Sequence, residues 1–359
     1  MRNFIIFLLV FILLFGGIFL YIGNAIADKV AMPFTRLDIK ENTDKILAMA
    51  GFDEKDFLSK YKRQTLTMPL EKGDLPIEFF PSKNPRGTIL LVHPIGFDAR
   101  LSYLLVPSFL EIGLQVISYD QRGAGSNPED YYTLGKKESE ELVQVLDFVK
   151  DYLNGQPLYV WGVSTGATTI CLGLQDSLGE QVSGIILDSP WYDGKEVIKE
   201  VLHKEGPPIP ESLLLKAGSL VSKKKYGFSY DDLDISDGTK KYYGRVLFFA
   251  SKKDEIIPYS QLEYIYQSFP GKDVKLVTVE DSQHGQILID HPLSYGKEIG
   301  LFTFGDQLSK AKSFVDATLG DGVSEKLEKH LDTGIKDIEN YMKEEGLDLE
   351  KILERIGDK

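Results

Sequence analysis

A serine hydroxyl attacks a carbonyl only when a neighbouring base removes its proton, and imidazole has a pKa suited to that task. The sequence offers such a serine in Gly162-Val163-Ser164-Thr165-Gly166, a G-x-S-x-G run. A serine so flanked can occupy a strained strand-to-helix turn that lifts its hydroxyl above a sheet. The small residues two before and two after it let strand and helix approach without a clash. Five histidines compete to be the base. His203 lies in a long insertion, His330 in the C-terminal tail and His93 at the start of another loop, while His291 precedes Pro292. His284 follows a strand, in the Gln283-His284-Gly285 loop, and is the best placed. An acid must then reach the other ring nitrogen to orient the imidazole. Asp254 lies just past an apolar run ending at Ala250, on the sheet edge expected for Ser164. Asp188, which ends the Ile185-Ile186-Leu187 run, is its rival, and Asp281 reads as a turn residue.

The surrounding elements decide whether these groups can meet. Residues 64–80 read as a hairpin about Lys72-Gly73-Asp74. Short apolar runs follow at 87–93, 115–119, 158–161, 184–187, 245–250 and 274–279. Helical patterns separate several of them: Leu142, Val145, Leu146 and Val149 recur at i, i+3, i+4 and i+7. Strands apolar on both faces and alternating with helices imply an α/β fold with a mostly parallel central sheet flanked by helices. Residues 167–174, after the serine, continue as a helix, as the turn requires. Residues 191–244 interrupt the alternation and hold one or two helices of a small cap, in which Trp191, Tyr192 and Leu213-Leu214-Leu215 could form an apolar acyl side. An amphipathic stretch is expected at 45–61.

At this point the sequence resembles the α/β-hydrolase superfamily, from about residue 64 to 304. Leu91-Val92-His93-Pro94-Ile95-Gly96 is similar to the family's strand and oxyanion loop, and Asp120-Gln121-Arg122-Gly123-Ala124-Gly125-Ser126 to its D-x-R-G-x-G-x-S loop. The segments around Asp254 and His284 resemble those that carry the acid and the histidine. The resemblance implies Ser164 as nucleophile, Asp254 as acid and His284 as base, with backbone N–H groups of Thr165 and Ile95 at the oxyanion hole. Pro94 replaces the family's common glycine and has no N–H, which moves the second donor to Ile95. Arg122 and Asp120 are expected to brace loops. Small-capped esterases, and peptidase-like hydrolases with an N-terminal membrane helix, are the most similar members. They imply cleavage of a small-molecule or lipid-like ester through an acyl-enzyme. Peptidase, thioesterase and acyltransferase chemistry share the same triad, and a non-catalytic scaffold is the alternative from another class.

Composition bounds the rest. The 359 residues carry a formal charge of −13, which disfavours nucleic acid as a partner. One cysteine, Cys171, excludes an internal disulfide and Cys-rich zinc sites. There is no H-E-x-x-H, EF-hand loop, Walker loop or G-x-G-x-x-G after a strand, so no metal or cofactor is implied. Residues 4–22 are uncharged and apolar, about long enough to span a bilayer. A membrane anchor, a signal cleaved after Ala25-Ile26-Ala27 and a buried helix remain open, with the catalytic domain expected on the extracytoplasmic side. The expected organisation is 1–27 as a transmembrane helix or signal-anchor and 28–63 as linker and helices. A catalytic domain at 64–319 and an amphipathic extension at 320–359 that could bind a protein partner complete it.

Overall fold

The structure, a computed structural model, describes residues 2–305. Eight strands form one sheet: β1 (Gln64–Leu70), β2 (Gly73–Phe80), β3 (Gly87–Val92), β4 (Leu114–Tyr119), β5 (Leu158–Val163), β6 (Gly184–Asp188), β7 (Val246–Ser251) and β8 (Val274–Val279). Their order is β1-β2-β4-β3-β5-β6-β7-β8. The hairpin β1–β2 and the β2–β4 pair are antiparallel, and every later pairing is parallel. β3 to β7 are buried at every position, as expected of strands covered on both faces. β8 departs from that expectation. It is the sheet's edge, so its positions are only partly covered, and Lys275 at the rim pairs with Glu298.

The sheet separates two apolar layers. One packs the Lys136–Val149 and Thr165–Gly173 helices and the cap against one face, with Leu142, Val145, Leu146 and Val149 all buried. The other packs residues 103–114 and the Pro292–Phe304 helix against the opposite face. Chain order reverses about β3, and in sheets of this kind ligands bind at the carboxyl ends of the strands beside such a reversal.

The insertion at 191–244 forms helices Gly194–Glu205 and Glu211–Tyr226, followed by the short Tyr230–Leu233 and Ser236–Thr239 turns. Trp191, Leu214 and Leu215 are buried core residues; they fill the cap's contact with the domain and are not free to form an acyl pocket. The amphipathic stretch expected at 45–61 is instead two helices, Arg36–Met49 and Glu54–Lys60. They part at Gly51, which has φ +63°, and Asp53 caps the second by accepting from the N–H groups of Lys55 and Asp56.

The N-terminal helix runs unbroken from Arg2 to Ala31, past the boundary expected at residue 27. Ile26, Ala27 and Ala31 are buried in the core shared with the cap. A Cβ on Gly23 would lie 2.5 Å from the Ala217 carbonyl oxygen, so glycine permits the approach of this helix to Glu211–Tyr226. Asp28 accepts from Lys225 and from the Tyr226 hydroxyl (both 2.6 Å). The last two turns therefore belong to the domain. Among the described residues no helix is long and apolar enough to cross a membrane. Side chains are described from Gly16 onward, so the greater part of the 4–22 run precedes them. The extension at 320–359, with His330, lies outside the described residues.

Candidate active site

Ser164 follows β5 directly and has φ +55° and ψ −124°, a strained conformation for a residue with a Cβ. Its N–H donates to the Asp188 carbonyl at the end of β6 (2.8 Å). The strain is held by close packing behind it. A Cβ on Gly162 would lie 2.6 Å from the Gly166 carbonyl carbon, and one on Gly166 would lie 2.1 Å from the Val92 oxygen. Both flanking glycines are therefore needed for the first turn of the Thr165–Gly173 helix to sit against the ends of β5 and β3.

The Ser164 hydroxyl donates to His284 Nε2 (2.8 Å), and His284 Nδ1–H donates to Asp254 Oδ2 (2.8 Å), the tautomer being assigned from this network. Asp254 Oδ1 also accepts from the N–H groups of Ile256 (2.9 Å) and Ile257 (2.8 Å). Burial alone would raise the Asp254 carboxyl, but the hydrogen bonds from His284, Ile257 and Ile256 outweigh it and hold the group below its ordinary value. An ionised carboxylate can fix the imidazole's orientation and stabilise the imidazolium formed when the serine loses its proton. The structure thus brings Ser164, His284 and Asp254 together.

The remaining sequence candidates lie elsewhere. Asp188 is buried and makes no hydrogen bond to His284; it accepts from the hydroxyls of Ser189 (3.0 Å) and Tyr295 (3.1 Å). Burial raises its carboxyl to about 6 despite these donors. Tyr295 OH in turn accepts from Trp161 Nε1 (2.7 Å), a buried polar chain with no motif in the sequence to announce it. His291 pairs with Asp281 (2.8 Å), and exposed His203 pairs with Glu211. Asp120 accepts from the N–H groups of Ala99 and Ser126, while Arg122 pairs with Glu129 (2.9 Å), so both brace loops.

His93 is buried and sets the oxyanion loop. Its Nε2 accepts from the Gln121 N–H (2.9 Å), so Nδ1 carries the proton toward the Pro94 carbonyl (2.9 Å). Burial lowers its pKa and keeps the ring neutral in this role. The loop then presents Ile95, whose N–H does not point into free space. It donates to Thr165 Oγ1 at 2.6 Å. The expected pairing of two backbone donors is thereby modified: Ile95 and Thr165 do meet, through a threonine hydroxyl that the sequence reading did not consider. Among the described residues no cluster of His, Cys, Asp and Glu could hold a metal ion.

A parallel sheet in this order, with a serine on a strained turn at its carboxyl edge, is the α/β-hydrolase fold, and the chain is by class a serine hydrolase. A family described as serine aminopeptidase, S33 matches residues 83–227. The uncharacterized protein YqkD of Bacillus subtilis (strain 168) is 24% identical over 283 residues, 77% of this chain and 92% of its own. The putative methylesterase 14, chloroplastic, of Arabidopsis thaliana is 27% identical over 47% of this chain and 49% of its own. Among solved structures, the Pyrococcus furiosus esterase Pf2001 is similar at a TM-score of 0.54 and 19% identity, covering 70% of this chain and 94% of its own. The solved structure shares this chain's α/β-hydrolase fold, and the family match supports a hydrolase of that superfamily.

Proposed function

We propose that the protein is a membrane-anchored serine hydrolase that cleaves carboxylic esters through an acyl-enzyme. Ser164 attacks the ester carbonyl, His284 takes its proton and returns it to the departing alkoxide, and Asp254 orients the imidazole. The observation that carries this reading is the continuous Ser164–His284–Asp254 hydrogen-bond line at the sheet's carboxyl edge. The choice of an ester draws support from the solved neighbour named an esterase and from the apolar approach to the oxyanion loop. There the half-exposed Phe34 ring lies against Gly96, where an added Cβ would meet it at 3.1 Å. The family's description favours an aminopeptidase as the second reading. A fluorophosphonate probe should label the wild type and not Ser164→Ala. p-Nitrophenyl esters should then be turned over faster than aminoacyl p-nitroanilides. A labelled protein that prefers the anilides replaces ester by peptide, and an unlabelled, folded protein removes the hydrolase reading.

The anchor is assigned to residues 4–22, with the catalytic domain on the extracytoplasmic side. Support comes from that uncharged run, whose 19 residues would extend about 28 Å as a helix at roughly 1.5 Å per residue. Deleting residues 2–17 should release an active protein from carbonate-washed membranes. Deleting residues 2–27 should also strip Gly23, Ile26 and Ala27 from the cap, with a fall in melting temperature of several degrees. Full-length protein recovered with Asp28 as its N-terminus would show a cleaved signal instead.

A further inference from the structure

The oxyanion pocket needs donors aimed at the point where negative charge appears. Three observations converge on Thr165. Pro94 has no N–H to offer. The Thr165 N–H, at the first position of its helix, has no acceptor among the described residues and is free for substrate. The Ile95 N–H, the other candidate donor, is already spent on Thr165 Oγ1 (2.6 Å). A hydroxyl has one proton and two lone pairs. Because Thr165 Oγ1 accepts from Ile95, its own proton remains to be donated, and accepting a hydrogen bond strengthens that donation. The backbone on both sides of this contact is held in place. Gly166 lets the helix press on the Val92 and His93 carbonyls, and the buried His93 ring fixes the turn that carries Ile95. Thr165 itself is buried, so its hydroxyl has little water to turn to.

We infer that Thr165 serves the oxyanion twice, through its backbone N–H and its side-chain hydroxyl, and that Ile95 acts through that hydroxyl and not directly on substrate. The inference rests on the hydrolase reading above. As Ser164 Oγ bonds to the carbonyl carbon, its proton passes to His284 Nε2 and the carbonyl π pair moves onto the oxygen. The Thr165 hydroxyl donates a hydrogen bond to that oxygen and keeps its proton. The charge is neutralised by no transfer from threonine, so the hydroxyl needs no activating base. Collapse of the intermediate restores the C=O bond and expels the alkoxide, which His284 protonates.

Thr165→Val tests this, since valine nearly matches threonine in shape and lacks only the hydroxyl. Turnover of a p-nitrophenyl ester by the full-length protein should fall about 10²-fold in kcat, the cost of one lost oxyanion donor, with KM within a few-fold of wild type. Thr165→Ser, which restores the hydroxyl, should recover at least tenfold of that loss. Should Thr165→Val not fold, Thr165→Ala carries the same comparison. A hydroxyl-free variant that keeps a third or more of wild-type kcat, or exceeds it, overturns the inference: the hydroxyl is then a plug over Ile95, whose N–H donates directly. The fluorophosphonate label keeps the two failures apart. Wild type that labels and turns over beside an active Thr165→Val sinks the inference alone, whereas wild type that does neither removes the hydrolase reading and the inference with it.

Discussion

Asp254 and Asp188 stand at the carboxyl ends of neighbouring strands, β7 and β6, and both are buried, yet their surroundings shift their carboxyls in opposite directions. Asp254 accepts from two backbone N–H groups and an imidazole N–H that can become cationic. Asp188 accepts only from two neutral hydroxyls, those of Ser189 and Tyr295. Burial raises both carboxyls, and only the first set of donors overcomes it. Sequence position favours Asp254 and leaves Asp188 as its rival, and the partners decide which of them can steady an imidazolium. Asp188 works instead as an acceptor inside the sheet, through Tyr295 and Trp161.

The largest effect that separates the two is catalytic. Asp254→Asn should leave the fold intact and lower kcat by about 10³–10⁴-fold, as expected when the imidazole is held in the wrong tautomer. Ester kinetics beside circular dichroism would read it. A loss of less than tenfold would break the comparison at its stronger end.

The next effect is thermodynamic, and the two carboxyls have opposite signs. With a folded-state value of about 6 against an ordinary 3.8, Asp188 binds more protons folded than unfolded between those limits. Its contribution to stability must therefore fall as pH rises from about 4 to about 6, by on the order of 3 kcal/mol in total. Asp254 lies below its ordinary value, so its contribution is present above about 3.8 and is lost as pH falls through its folded-state value. Urea unfolding from pH 4 to 7 should show Asp188→Asn lacking a decline that the wild type has. An identical slope in both proteins would mean that Asp188 is ionised throughout.

Much of this arrangement is legible in the residues. The interior strands announce themselves because a strand covered on both faces must be apolar at every position, as β3 and β5 are. The flanking glycines mark the serine's turn because no side chain fits there. What stays illegible depends on distant partners. Tyr295 meets Asp188 across 107 residues from a helix with no local signature. Asp28 and Lys29 look like the polar end of an apolar segment, yet they pair with Lys225 and Glu205 of the cap and keep the helix going to Ala31. The break at 50–53 is set by a capping aspartate inside a stretch whose apolar spacing reads straight through. Likewise, Thr165 offers a backbone N–H in the sequence pattern, while the use of its hydroxyl depends on the loop that His93 folds.

The smallest expected effect is the most direct probe of the comparison. Asp188→Asn should lower kcat by less than about tenfold, because the side chain makes no hydrogen bond to Ser164, His284 or Asp254. Its link to the nucleophile runs through the backbone: the Asp188 carbonyl accepts the Ser164 N–H, and asparagine keeps that carbonyl. An asparagine side chain can still accept from Ser189 through its amide oxygen, while its NH₂ group must face the Tyr295 hydroxyl, which already accepts from Trp161. The cost therefore belongs to the packing of the Pro292–Phe304 helix on the sheet more than to chemistry, and Tyr295→Phe should reproduce it. Michaelis kinetics on both variants, beside their melting temperatures, would separate the two contributions. If Asp188→Asn were crippled in kcat at an unchanged melting temperature while Asp254→Asn stayed active, the imidazole would be taking its orientation from β6, and the roles given to the two aspartates would have to be exchanged.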